Sequence, residues 1–158
     1  LGYWLNEKPY LIPRDGKKLD TSSYASLEDI LKNLSKLSVL ENINSITIYL
    51  DVKYINFEES IENYKYPELS KKLCLLASSS SKETSIEIDD MKHSIFSYFL
   101  MKGLKGDAYG DDKILEIGEL AEYLYRKIPD YTKNLENGLL QNPEFIGSDL
   151  KRVLIDLR

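Results

Sequence analysis

"SITIYLDVKYIN", residues 45–56, carries the reading of the fold. Apolar and β-branched residues run almost unbroken from Ile46 to Val52. Such a run predicts a strand buried on both faces, the kind found in a sheet covered by helices. The run ends in Asp51 and Lys53, an acid and a base two residues apart. The lysine is the feature to explain.

A second run, "KKLCLLASSSS" (71–81), predicts another buried strand that enters a serine-rich loop. Upstream, "YWLNEKPYLIP" (3–13) predicts a β-hairpin around a polar Asn-Glu-Lys, and "RDGKK" supplies turn residues. "TSSYASLEDILKNLSKLSVL" (21–40) predicts a helix with Ser26 as N-cap and Asp29 three residues on. Leu27, Ile30, Leu31, Leu34 and Leu37 share one of its faces. "NFEESIENYKYPEL" (56–69) reads as a loop with a short helix. "HSIFSYFLMKGLKG" (93–106) predicts a helix closed by glycine. "ILEIGELAEYLYRKI" (114–128) predicts another, stopped by Pro129. "NGLLQNPEFIG" (137–147) returns to turns with a short edge strand, and "SDLKRVLIDL" (148–157) reads as strand or helix. Strands followed by helices argue for an α/β sandwich around a mainly parallel sheet, in one domain spanning 1–158. Two central strands make a poor sheet alone. A covering piece is therefore expected, either the rest of the same polypeptide or a second chain. The opening "LGYWLNEKPYLIPRDG" has no signal-peptide pattern and reads like a cut inside a longer protein.

Composition excludes several functions. The net charge is −5, with 30% charged residues, which disfavours nucleic-acid binding. No apolar run reaches the roughly 18 residues of a membrane span. One cysteine, Cys74, and one histidine, His93, can form neither an internal disulfide nor a standard zinc site. The single cysteine favours a reducing, cytoplasmic setting. Cys74 sits in a buried-strand pattern and reads as core. His93 reads as a packing or helix-start residue. "DAYGDDKILEIGE" (107–119) echoes a calcium loop through Asp107, Tyr109 and Asp111. Asp112 and Gly118 stand where such a loop needs glycine and glutamate, so a solvated turn is the better reading. No metal or cofactor is expected.

Taken in order, several stretches resemble the caspase and metacaspase group of cysteine peptidases. "PYLIPRD" resembles the segment after the group's catalytic Ser-Gly-His-Gly. "ITIYLDVKYIN" resembles the strand that ends in Asp-x-Cys-x-Ser-Gly, and "LCLLASSSSKETSIE" the next strand with its pocket segment. "HSIFSYFLMKGLKGDAYGDDKILEIGELAEYLYRKIP" resembles the two helices that follow, and "LLQNPEFIG" the Gln-x-Pro-x-x-x-Gly end. The resemblance spans about residues 9 to 147. It implies the C-terminal portion of a caspase-like α/β/α sandwich, with the His motif and first strands outside this chain.

The same resemblance puts Lys53 on the nucleophile position and Asn56 where the group keeps glycine. It puts Asp51, Ser85 and Glu87 in an acidic pocket for a basic substrate side chain. Peptide cleavage in this group needs a thiolate activated by an imidazole. A lysine ammonium offers no lone pair for attack. The expectation is therefore a pseudopeptidase that binds or scaffolds, with a basic peptide as one partner. The alternatives are the C-terminal fragment of an active cysteine endopeptidase whose catalytic residues lie outside this chain, and a purely structural domain. Lys53 is expected to cap the Asp51 pocket from within, or else to point to solvent at a strand end.

Overall fold

β5 (Leu73–Ala77) is the central strand, and all five of its residues are buried. It lies parallel to β4 (Ile46–Leu50), in a register from Ile46 opposite Leu73 to Leu50 opposite Ala77. On its other side it pairs antiparallel with β9 (Glu144–Ile146). The computed structural model describes residues 1–17, 20–56, 64–88, 92–135 and 139–158. The central sheet is thus mixed, with one parallel and one antiparallel pairing, not mainly parallel.

Alternation along β5 feeds two cores. Leu75 faces Leu27 and Leu31 of α1 (Leu27–Ser38), together with Ile48, Leu50 and Ile146. Cys74 and Leu76 face the opposite way. There they meet Ile95, Phe96 and Phe99 of α2 (Ile95–Lys102) and Leu120, Leu124 and Ile128 of α3 (Ile117–Thr132). Helices therefore cover both faces of the sheet. Each fully buried leucine contributes about 2 kcal/mol.

β4 is not buried on both faces. Four of its residues are half-buried, and Tyr49 is 36% exposed. The reason is its place: among the described residues β5 is its only full neighbour in the sheet. Ile46 N–H donates to Lys72 O, and Leu50 O accepts from Ser78 N–H. Even-numbered residues thus bond β5, and the N–H and C=O groups of Thr47 and Tyr49 point to the open side.

β1 (Gly2–Leu5) and β2 (Lys8–Leu11) form the predicted hairpin. Asn6 and Glu7 both have positive φ, 49° and 63°, as a tight two-residue turn requires. β3 (Ala25–Ser26) adds a short third strand to the hairpin. α1 starts where its cap predicts, with Asp29 N–H donating to Ser26 Oγ at 3.2 Å. Leu37 does not join the core and is 48% exposed.

β6 (Glu87–Ile88) pairs with β7 (His93–Ser94), which leads into α2. His93 is exposed on β7 and Ser94 is the helix cap, so His93 neither packs nor starts the helix. α2 ends in a widened turn, Gly103–Asp107, where Gly106 has φ 136°. Ile114–Glu116 is not helix but β8, paired with β10 (Val153–Asp156). The two readings of the C-terminal stretch resolve to strand. α3 runs through Pro129 to Thr132. Proline removes one helical donor, but Ile128 and Thr132 on either side are fully buried. Of the stretch 56–69, expected to be a loop with a short helix, residues 57–63 lie outside the described residues and residues 64–69 carry no helix. Among the described residues, no helix is long and apolar enough to cross a membrane.

Arg152 closes the amino end of the sheet. Its guanidinium donates to Ile46 O and to Cys74 Sγ through Nη1, and to Lys71 O through Nη2, each at 3.0 Å. Its backbone carbonyl accepts from Ile117 N–H at the start of α3, at 2.8 Å.

Candidate functional site

The ladder of β4 and β5 ends at Leu50 and Ala77, at the carboxyl edge where α/β sheets expose loops to ligands. Ser78 N–H donates to Leu50 O at 2.8 Å, and Val52 N–H donates to Ser78 Oγ at 3.3 Å. Between these two ties Asp51 turns its carboxylate outward, and the residue is exposed.

Three serines from two further segments converge on that carboxylate. Ser85 Oγ donates to Oδ1 at 2.7 Å. Ser97 Oγ donates to Oδ2 at 2.5 Å, and Ser94 Oγ donates to the same oxygen. Ser94 and Ser97 lie one turn apart at the start of α2. Ser94 also caps the helix by accepting from Ser97 N–H at 3.0 Å. A carboxylate at a helix start is further favoured by the helix dipole.

Ser85 is placed by a network around Gln141. This fully buried side chain accepts from Ile86 N–H at 2.9 Å and donates to Ser78 O at 2.8 Å. Its own N–H reaches Thr132 Oγ1 at 3.3 Å. Asn142 then donates from its backbone N–H and its Nδ2 to the Glu83 carboxylate, both at 2.6 Å. Ile95 N–H donates to Ile86 O at 2.9 Å, tying the loop to the start of α2. The β5–β6 loop is therefore stapled on both sides.

Of the residues singled out from sequence, Asp51 and Ser85 meet directly. Glu87 does not join them. It is exposed on β6 and lines a neighbouring depression of about 360 Å³ with Ile88, Lys92, His93 and Ser94. Lys53 follows the strand end as expected but points away from the pocket role: it is exposed, and no ion pair joins it to Asp51. The Asp51 oxygens are taken up by serines instead. Ser94 and Ser97 were not foreseen. Their signal in the sequence is Ser-x-x-Ser in "HSIFSYF", two hydroxyls on one face of a helix start.

Beyond Lys53 the chain is gripped by the hairpin. Gly2 N–H donates to Lys53 O at 2.9 Å, and Ile55 N–H donates to Gly2 O at 3.1 Å. A Cβ on Gly2 would lie 2.5 Å from the Tyr54 ring and 2.6 Å from Val52, so this approach demands glycine. Asn56 accepts from Trp4 N–H through Oδ1 and donates to Trp4 O through Nδ2, both at 2.7 Å. The side chain substitutes for a strand neighbour. Trp4 packs on Tyr54 and Tyr64 at centroid separations of 5.3 Å. Burial pushes the Tyr54 hydroxyl well above the usual phenol range.

The remaining candidates lie elsewhere. Cys74 is fully buried near the amino end of β5, opposite Thr47, so it is remote along the ladder from Asp51. In the calcium-like loop, Asp107 accepts from Tyr123 OH at 3.3 Å, and Tyr109 OH donates to Leu104 O at 3.1 Å. Burial, and then Asp107, push the Tyr123 hydroxyl up to about 12.

No protein-family model matches the chain, and no curated protein matches it.

Proposed function

We propose that this chain is the C-terminal portion of a caspase- and metacaspase-like α/β/α domain that binds or scaffolds and does not cut. One observation carries the reading. An outward carboxylate, Asp51, stands at the carboxyl end of β4, held by Ser85, Ser94 and Ser97, two residues before Lys53, which the resemblance puts at the nucleophile position. Three hydroxyls that hold one carboxylate fix its direction before a ligand arrives, which lowers the ordering cost of binding. The charge they leave uncompensated suits a cationic side chain, so the ligand is a peptide bearing a basic residue. The ammonium of Lys53 cannot replace a thiolate, which supports binding without hydrolysis.

The open side of β4 supports a second partner surface. Thr47 and Tyr49 direct backbone groups outward there. At the other edge Phe145 N–H is capped by Tyr125 OH at 2.8 Å. Among the described residues the β4 edge carries no charge and no cap, and such an edge invites strand pairing, so the rest of the polypeptide or a second chain covers β4. A lone, buried thiol fits a reducing, cytoplasmic setting.

The test uses the full chain and short peptides that end in a basic residue, followed by amide shifts at Ser85, Ser94 and Ser97. Asp51→Asn is expected to weaken binding by roughly thirtyfold, since it removes a charge-assisted bond. Hydrolysis of Arg-, Lys- or Asp-terminated reporter peptides by the chain would overturn the binding-only reading.

A further inference from the structure

We infer that the Asp51 site selects a lysine ammonium over an arginine guanidinium. The inference rests on the reading that Asp51 receives a basic side chain, and it follows from counting lone pairs.

A carboxylate offers about four acceptor sites, two on each oxygen. Oδ2 already accepts from Ser94 and Ser97, and Oδ1 accepts from Ser85. One site on Oδ1 is left. An arginine binds a carboxylate best as a fork, with two parallel N–H groups on two oxygens. Oδ2 cannot take the second tine without losing a serine.

The serines complete the argument from the other direction. A hydroxyl has one proton and two lone pairs. Each of the three has given its proton to Asp51, so each presents acceptor oxygen to the outside. Ser94 Oγ also accepts from Ser97 N–H, which leaves Ser85 and Ser97 as the freer acceptors. The entrance is therefore one carboxylate lone pair surrounded by hydroxyl oxygens, with no hydroxyl proton left to donate. An ammonium with three donors spread about a compact charge matches that set. A planar guanidinium reaches the carboxylate by a single end-on bond.

The experiment measures dissociation constants of the full chain for two peptides identical except for a terminal lysine or arginine. The lysine peptide is expected to bind about tenfold more tightly, the worth of roughly one further hydrogen bond from the ammonium to a serine oxygen. A third peptide carries trimethyllysine, which keeps the charge and lacks N–H donors. It is expected to lose most of the affinity. Ser97→Ala frees a site on Oδ2 while leaving the Ser94 cap in place, so arginine binding should strengthen and the gap should close to about twofold. Ser97→Thr, which restores the hydroxyl, should restore the preference.

Arginine binding as tightly as lysine in the unmodified chain overturns the inference and leaves the basic-ligand reading standing. A gap unchanged by Ser97→Ala overturns the lone-pair account, as does full affinity for trimethyllysine. Binding of none of the three peptides overturns both the inference and the reading beneath it.

Discussion

At the scale of single residues, the site is built from groups whose positions in the chain say little about their meeting. The resemblance paired Asp51 with Ser85, and the two side chains do meet. Ser94 and Ser97 were not legible, because a serine pair at a helix start reads equally well as capping, and Ser94 does cap. Only the fold brings the start of α2 to the tip of β4. Lys53 shows the converse: opposite charges two residues apart suggested a contact, yet the Asp51 oxygens are taken up by three serines and Lys53 stays exposed. Glu144, opposite Ala77 at the same end of the sheet, gives a pH-dependent prediction. Burial raises its carboxyl above the ordinary 4.5. The folded state therefore holds this proton more tightly than the unfolded state does. The related stabilisation is complete below the ordinary value and is lost as pH rises through the raised one. Glu144→Gln, which stays neutral, is expected to raise the thermal midpoint at pH 8 and to lose that advantage near pH 4. Melting curves across this range check it.

At the scale of elements, β4 makes a sharp prediction for hydrogen exchange. The amides of Ile46, Ile48 and Leu50 face β5, and those of Thr47 and Tyr49 face the open side. Exchange is expected to be slow for the first set and at least about a hundredfold faster for the second. Uniform protection along β4 would mean that the edge is paired, which self-association of the chain would explain. The strand itself was legible, but its burial was not. Hydropathy reports what side chains prefer, and an apolar run looks the same beside one neighbour or two. The start of α3 was misplaced for a related reason. Ile114 and Ile117 have helical spacing, but β10 offers Ile114–Glu116 a partner from about forty residues downstream, which no local window contains. Pro129 was read as a stop because the rule is local, while the burial that carries the helix past it is not.

At the scale of the whole molecule, the two ends of the β4–β5 ladder do different work. The amino end is bolted by Arg152 to Ile46, Lys71 and Cys74. The carboxyl end carries Asp51, the serine-rich loop and Gln141. Gln141 holds that end together, since it joins Ser78, Ile86 and Thr132 from three segments. Gln141→Ala leaves the Ile86 N–H and the Ser78 carbonyl without this partner in a dry place, and is expected to cost about 3 kcal/mol in urea unfolding. It should also weaken binding of a lysine-terminated peptide, because Ser85 loses its anchor. Ser85→Ala in comparison should weaken binding with a smaller loss of stability. Equal effects of the two variants on both readouts would argue against a positioning role for Gln141.

The Asn56 clasp has a chemical consequence. Its amide works only because one atom donates and the other accepts, in step with the Trp4 N–H and C=O. Replacement of that amide by a carboxylate, as in substitution to aspartate, alters almost nothing in shape. It does set an anion against the Trp4 carbonyl oxygen. Asn56→Asp is therefore expected to loosen the hairpin at neutral pH and to let it reseat in acid, where the regained proton can donate once more. Tryptophan fluorescence followed through an acid titration reads this directly, because the chain has one tryptophan and it sits in the clasp.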